Sequence, residues 1–206
     1  MTEKAKKNIY TVFFMTLITV IFITALAYTH LKTRDRIKAN AENFKKAAIL
    51  SAAGVSFEKN TVADVYDMYI RETVSKKDSK KTYYVVLDET KNVSRYVFVT
   101  EGPGLWGAII AAVGVEKDMK TLTGISFIKQ DETPGLGARI EEPWFKAQFK
   151  GKIPPLVRVN EGEPTTVNQF DAITGATATS KAVQDIVNNF VMQEITTIVQ
   201  EAGDSK

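Results

Sequence analysis

Residues 9–28, "IYTVFFMTLITVIFITALAY", form a run without a single charge, and no other feature restricts this chain so strongly. About 20 apolar residues suffice to cross the hydrocarbon core of a bilayer, so the run predicts a transmembrane helix behind a short N-terminal tail of residues 1–8. Ala25-Leu26-Ala27, following Lys4, Lys6 and Lys7, imitates a signal-peptide cleavage site. A signal h-region, however, spans only about 7–15 residues, so the run is expected to persist as an anchor in membrane lipid. Lys4, Lys6 and Lys7 on one side are matched by Lys32, Arg34, Arg36 and Lys38 on the other, and the positive-inside rule gives no orientation. The span also lacks the ionisable residues that mark an ion pathway.

The remaining composition narrows the chemistry. The formal net charge is +3 with basic residues scattered along 206 residues, which is not the footprint of a nucleic-acid binder. There is no cysteine, so neither disulfides nor thiolate-held metal clusters can form. His30, the single histidine, adjoins the apolar run and cannot build a His-rich metal site or a Ser-His-Asp triad. No metal site and no catalytic residue is assigned; redox chemistry in such a chain requires an organic cofactor.

Past the anchor, Leu31, Ile37, Ala41, Phe44, Ala47 and Ala48 keep helical spacing until Gly54, which predicts a helical extension over residues 29–54. Thr61 with Asp64 reads as the start of a short helix carrying Val65, Tyr66 and Ile70 on its apolar face. Residues 71–82, "RETVSKKDSKKT", read as a solvated charged loop. "KTYYVVLD", "SRYVFVTEG", "GAIIAAVGVEKD" and "LTGISFIKQD" are rich in β-branched and aromatic residues and too closely spaced for helical crossovers, so a mainly antiparallel sheet is expected. "EEPWFKAQFKG" suggests a short helix and "PPLVRVN" a strand. From Lys181, the residues Val183, Ile186, Val187, Phe190, Val191, Ile195 and Ile198 mark one face of a closing helix. The class is α+β: one transmembrane helix followed by a domain over residues 55–206 with flanking helices.

"AITGATATS", residues 172–180, crowds four hydroxyls around a Gly-Ala turn ahead of that helix. Locally, Gly175 permits the turn and Thr179 or Ser180 caps the helix, which needs one hydroxyl rather than four. A helix start also offers free N–H groups to an anion such as a phosphate. The G-x-x-x-x-G-K-[ST] spacing of a Walker A loop is absent. Pro134-Gly135 in "DETPGLG" fits a tight turn in which glycine takes a positive φ.

"DAITGATATS" resembles the D-x-x-[ST]-G-A-T-x-T signature at which a flavin transferase attaches FMN through a phosphoester to threonine. Asp171, Thr174, Gly175, Ala176 and Thr177 match in register, and Thr174 stands where serine is more usual. "GPGLWG", residues 102–107, and "DETPGLG", residues 131–137, resemble two further loops of the FMN-binding subunits of the Rnf and Na⁺-translocating NADH:quinone oxidoreductase complexes. The resemblance covers the anchor and roughly residues 83–190. It implies covalent FMN on Thr177, with Thr179 and Ser180 in the same turn. A flavin also needs apolar surface against its ring, which Leu105, Trp106 and Leu136 can supply, and polar groups at its edge, which Glu132 and Thr133 can supply, with Gly137 in the same loop as a further cofactor-binding candidate. Trp106 is equally readable as ordinary core.

By that resemblance the chain is an electron-relaying member of a membrane redox complex, with the FMN domain on the extracytoplasmic side of the cytoplasmic membrane. Its partners would be other subunits of the complex and a flavin transferase. Chain length favours the FMN-binding G subunit of Rnf, and "GPGLWG" looks more like the quinone-reductase version. Two readings from other classes remain: a membrane-anchored ligand-binding module without electron transfer, and a structural subunit in which "TGATATS" only caps a helix.

Overall fold

A computed structural model describes residues 3–74 and 82–203. The chain divides into two compact units, Met1–Glu42 and Asn43–Lys206. Helix α1 runs without interruption over Glu3–Ala53, so the expected extension beyond the apolar run is continuous with it. In the first unit the apolar side chains point outward on every side, among them Phe13, Leu17, Val20, Phe22 and Leu26. A helix apolar all round and buried against no protein suits a lipid environment, and this one is long and apolar enough to cross a membrane. Thr11, Thr16, Thr19 and Thr24 each donate their hydroxyl to the carbonyl four residues earlier, at 2.7–3.0 Å.

The end of α1 belongs to the second unit. Gly54 adopts φ +70, which lets its own N–H reach Ser51 O (3.0 Å) and that of Val55 reach Leu50 O (3.0 Å), a Schellman termination. The last two carbonyls are captured by the sheet: Thr123 donates its hydroxyl to Ala52 O at 2.6 Å, and Arg95 Nη1 donates to Ala53 O at 2.8 Å. All four carbonyls that a helix end leaves open are thus satisfied. Gly114 makes the approach possible, because a Cβ there would stand 2.0 Å from Ala52 O and 2.1 Å from Thr123 Oγ1.

The second unit is built on an antiparallel sheet in sequential order: β1 (Ile70–Val74), β2 (Thr82–Leu87), β3 (Val93–Pro103), β4 (Ala108–Glu116) and β5 (Leu122–Lys129). Asp88 and Asp118 anchor the β2–β3 and β4–β5 turns. The Thr90 hydroxyl and the N–H of Asn92 hold the Asp88 carboxyl below the usual range, and the hydroxyl and N–H of Thr121 do the same for Asp118.

Alternation along the strands separates two cores. One face, with Tyr84, Val86, Val97 and Ala112, packs against the end of α1 and helix α2 (Val62–Tyr69). The other, with Phe98, Val113, Ile125 and Phe127, is covered by a 3-10 helix (Gly137–Glu141), helix α3 (Pro143–Ala147) and helix α4 (Thr177–Gly203). Phe145, Phe149 and Phe170 fill its centre, with the Phe149 and Phe170 rings 5.1 Å apart. Strands β6 (Val157–Val159) and β7 (Gln169–Asp171) form a separate parallel pair.

Four expectations need correction. Residues 71–74 are not loop but belong to β1, because their backbone pairs with β2 from Arg71↔Val85 to Val74↔Thr82 while their side chains remain mostly in solvent; residues 75–81 lie outside the described residues. Ile70 is the first residue of that strand rather than part of the α2 face. Thr61 sits at the α2 N-cap, but its hydroxyl bonds Glu58 rather than a helix N–H. The closing helix starts at Thr177, four residues before Lys181, so Thr179 and Ser180 occupy its first turn instead of capping it. Val183, Ile186, Val187 and Ile195 face the core as expected, whereas the side chains of Phe190, Val191 and Ile198 lie outside the described residues.

Candidate functional site

Three loops, from the β3–β4 hairpin, the segment after β5 and the start of α4, are joined by one buried carboxylate. At the hairpin, Pro103 pairs with Ala108 and the Gly104 N–H donates to Gly107 O at 2.8 Å. This leaves Leu105 and Trp106 at the tip, 59% and 70% exposed, so Trp106 is not a core residue. Their N–H groups turn inward and donate to Glu132 Oε1 at 2.7 and 3.1 Å. The second carboxylate oxygen, Oε2, accepts the Thr179 hydroxyl through a short hydrogen bond. Glu132 is 5% exposed and Thr179 1%.

Two glycines allow this convergence. A Cβ on Gly104 would come within 2.5 Å of Glu132 Oε1, and one on Gly137 within 2.5 Å of Thr179 Oγ1. The Glu132 N–H donates to Gln130 Oε1 at 2.6 Å, which fixes the start of the loop. The chain then turns through Pro134 and Gly135, with Gly135 at φ +75 and the Leu136 N–H donating to Thr133 O at 3.1 Å, as Pro-Gly predicted. Thr133 is exposed on this turn. Leu136, 44% exposed, lies over Gly175, where an added Cβ would stand 3.2 Å from its Cδ2.

Gly175 takes φ +80 and delivers the chain to α4. The hydroxyls on either side have different environments. Thr174 donates to Glu161 Oε2 at 2.7 Å, and this bond, the Thr174 N–H and the nearby Arg139 charge hold the Glu161 carboxyl below its ordinary range. Ser180 Oγ accepts the Ile173 N–H and donates to Ala176 O, both at 3.0 Å, and is fully buried. Ala176 is buried as well. Thr177, the first residue of α4, is exposed, and its hydroxyl has no hydrogen-bond partner among the described residues. The first intrahelical bond is Ser180 N–H to Ala176 O, so the N–H groups of residues 177–179 have no intrahelical acceptor.

Asp171 ends β7. Its carboxylate accepts the Gly162 N–H at 2.6 Å, and its backbone is gripped on both sides by the Gln148 amide. Sequence reasoning did not identify Gln130, Gln148 or Glu161, which hold Glu132, Asp171 and Thr174 in place. No local pattern distinguishes these side chains from ordinary surface polar residues.

The arrangement fits a phosphorylated, partly aromatic ligand. Thr177 offers a free hydroxyl where helix N–H groups and the helix dipole favour a phosphate. Leu105, Trp106 and Leu136 supply exposed apolar surface on the loops that Glu132 ties to the same helix turn.

The FMN-binding domain family matches residues 104–192. The C subunit of a Na(+)-translocating NADH-quinone reductase from Vibrio anguillarum is 27% identical over 229 residues, covering 88% of each chain. The G subunit of an ion-translocating oxidoreductase complex from Methanosarcina acetivorans is 34% identical over 182 residues, covering 86% of this chain and 89% of that protein. Among solved structures, the C subunit of a Na(+)-translocating NADH-quinone reductase from Parabacteroides distasonis superposes with a TM-score of 0.63 at 28% identity, over 76% of this chain and 92% of that one. Since an FMN-binding domain is present and these relatives match over most of the chain, it belongs to the family of FMN-binding subunits found in Na(+)-translocating NADH-quinone reductases and in Rnf-type ion-translocating oxidoreductases.

Proposed function

We propose that the protein carries FMN through a phosphoester on Thr177 and relays electrons between other subunits of an ion-translocating membrane complex. The observation that carries this reading is the contrast among four neighbouring hydroxyls: Thr174, Thr179 and Ser180 are committed to protein partners, while Thr177 is exposed at a helix start with no partner among the described residues. FMN, when bound, supplies reversible electron uptake, which a chain without cysteine cannot obtain from a thiol or a thiolate-held cluster. The protein's part is to fix the phosphate end at Thr177, to place Leu105, Trp106 and Leu136 beside the ring, and to set Thr133 at its polar margin. Mass spectrometry of the full chain isolated from its native host is expected to show one FMN adduct. An unmodified chain would leave the binding-module and structural readings.

The Rnf-type assembly, moving electrons between ferredoxin and NAD, is favoured by the 34% identity with the Methanosarcina protein. The 27% identity with the Vibrio protein supports the quinone-reductase alternative. In either assembly a flavin transferase attaches the cofactor, and the α1 span contributes anchorage rather than an ion path. The folded domain is assigned to the extracytoplasmic side. A periplasm-active reporter fused after Lys206 is expected to give signal and a cytoplasm-active one none; the reverse result overturns the orientation.

A further inference from the structure

We infer that Glu132 is a positioning residue: by clamping the Leu105–Trp106 tip to the first turn of α4, it sets where the apolar surface stands relative to Thr177, without itself meeting the ligand. This inference rests on the proposed function for the identity of the ligand but not for the clamp itself. The carboxylate reaches partners 27, 26 and 47 residues away in sequence, so one side chain ties the hairpin tip and the loop after β5, which extend beyond the paired ends of β4 and β5, to the first turn of α4. Oε1 is occupied by two successive N–H groups and Oε2 by the Thr179 hydroxyl, and only 5% of the residue is exposed. A carboxylate committed in this way has little capacity left for a flavin edge. Its influence passes instead through the elements it holds. Gly104 and Gly137 support this role, since a Cβ at either would press on the carboxylate itself, at 2.5 and 2.7 Å. Thr179 gains a purpose distinct from that of Thr177: the second threonine of "GATAT" locks the helix turn onto the clamp.

Glutamine separates clamping from charge. Its Oε1 can accept both tip N–H groups while its Nε2 donates to Thr179 Oγ1, because a hydroxyl accepts as well as donates. Alanine leaves both tip N–H groups and the buried Thr179 hydroxyl without the carboxylate that accepts them. The test uses the full chain in detergent with Trp144→Phe, so that Trp106 is the sole tryptophan reporter. Without flavin transferase, Glu132→Ala is expected to abolish the slow component of Trp106 anisotropy decay, and Glu132→Gln to keep it. Thr179→Val should weaken that component and Thr179→Ser restore it, which keeps the test available if Glu132→Ala does not fold.

With the transferase, all variants are expected to carry FMN. Glu132→Ala should shift the flavin absorbance and potential, Glu132→Gln should not, and the shift should vanish when Leu105 and Trp106 are both alanine. A Glu132→Gln shift as large as that of Glu132→Ala, with unchanged Trp106 anisotropy, would show the charge acting directly on the ring and overturn the inference. Unchanged anisotropy in Glu132→Ala overturns it too. A wild-type chain that takes up no FMN counts against the proposed function alone, because the anisotropy measurement needs no cofactor.

Discussion

Thr177→Ala is expected to leave the chain without any covalent flavin, whereas Thr174→Ala, Thr179→Ala and Ser180→Ala each retain the adduct. Phosphoester formation needs a hydroxyl that a transferase can approach. Thr179 and Ser180 are 1% and 0% exposed, and Thr174 is engaged by Glu161. Thr177 alone combines exposure, a free hydroxyl and the open N–H groups of a helix start, where the phosphate charge is favoured by about 0.3–1 kcal/mol or more. Thr177→Ser keeps the hydroxyl and is expected to keep the flavin. Co-expression with a flavin transferase, in-gel flavin fluorescence and peptide mapping decide the matter. An adduct mapped to any of the other three residues would refute the assignment.

The largest expected loss of stability is at Gly114. Its Cβ would be 2.0 Å from Ala52 O and 2.1 Å from Thr123 Oγ1, so Gly114→Ala must break the Thr123 bond to α1 or push the helix end off the sheet. Neither neighbour is the flexible end of a long side chain. Overpacking of this kind costs about 3 kcal/mol, which for a chain of this length lowers the melting temperature by roughly 6–12 °C. Gly124 is the control: its Cβ would stand 3.3 Å from the same Ala52 O, a contact relieved by a small shift. Gly124→Ala is expected to cost under about 1 kcal/mol. Thermal melts of the full chain in detergent compare the two, and equal effects would refute the account of how α1 docks.

Strands β2 to β5 were legible because each is rich in β-branched residues, joined by aromatic ones in β2, β3 and β5, and is bounded by an Asp- or Gly-bearing turn. Strand β1 was concealed by its position at the sheet edge. Arg71, Glu72 and Val74 remain exposed, so the pairing is made by backbone and the side chains still read as loop. Strand β7 has three residues and a parallel partner, too short for any periodicity. At the site, the crowding of hydroxyls after Gly175 was conspicuous, but their division of labour was not. It depends on Glu161 and Glu132, which lie 13 and 47 residues from the threonines they engage. Glu132 was readable as a polar group near the ring, yet its inward orientation follows from where the β3–β4 tip sits. The same tip geometry brings Trp106 into solvent, which composition could not decide.

The threonines of the apolar run have a consequence for neighbours in the bilayer. Thr11, Thr16, Thr19 and Thr24 each spend their hydroxyl proton on their own helix. None of these four donors is therefore left seeking an acceptor across a helix pair. As far as these threonines go, selectivity for an adjoining helix would be written in relief: the ridges of Phe13, Phe14 and Phe22 against the hollows at Ala25 and Ala27.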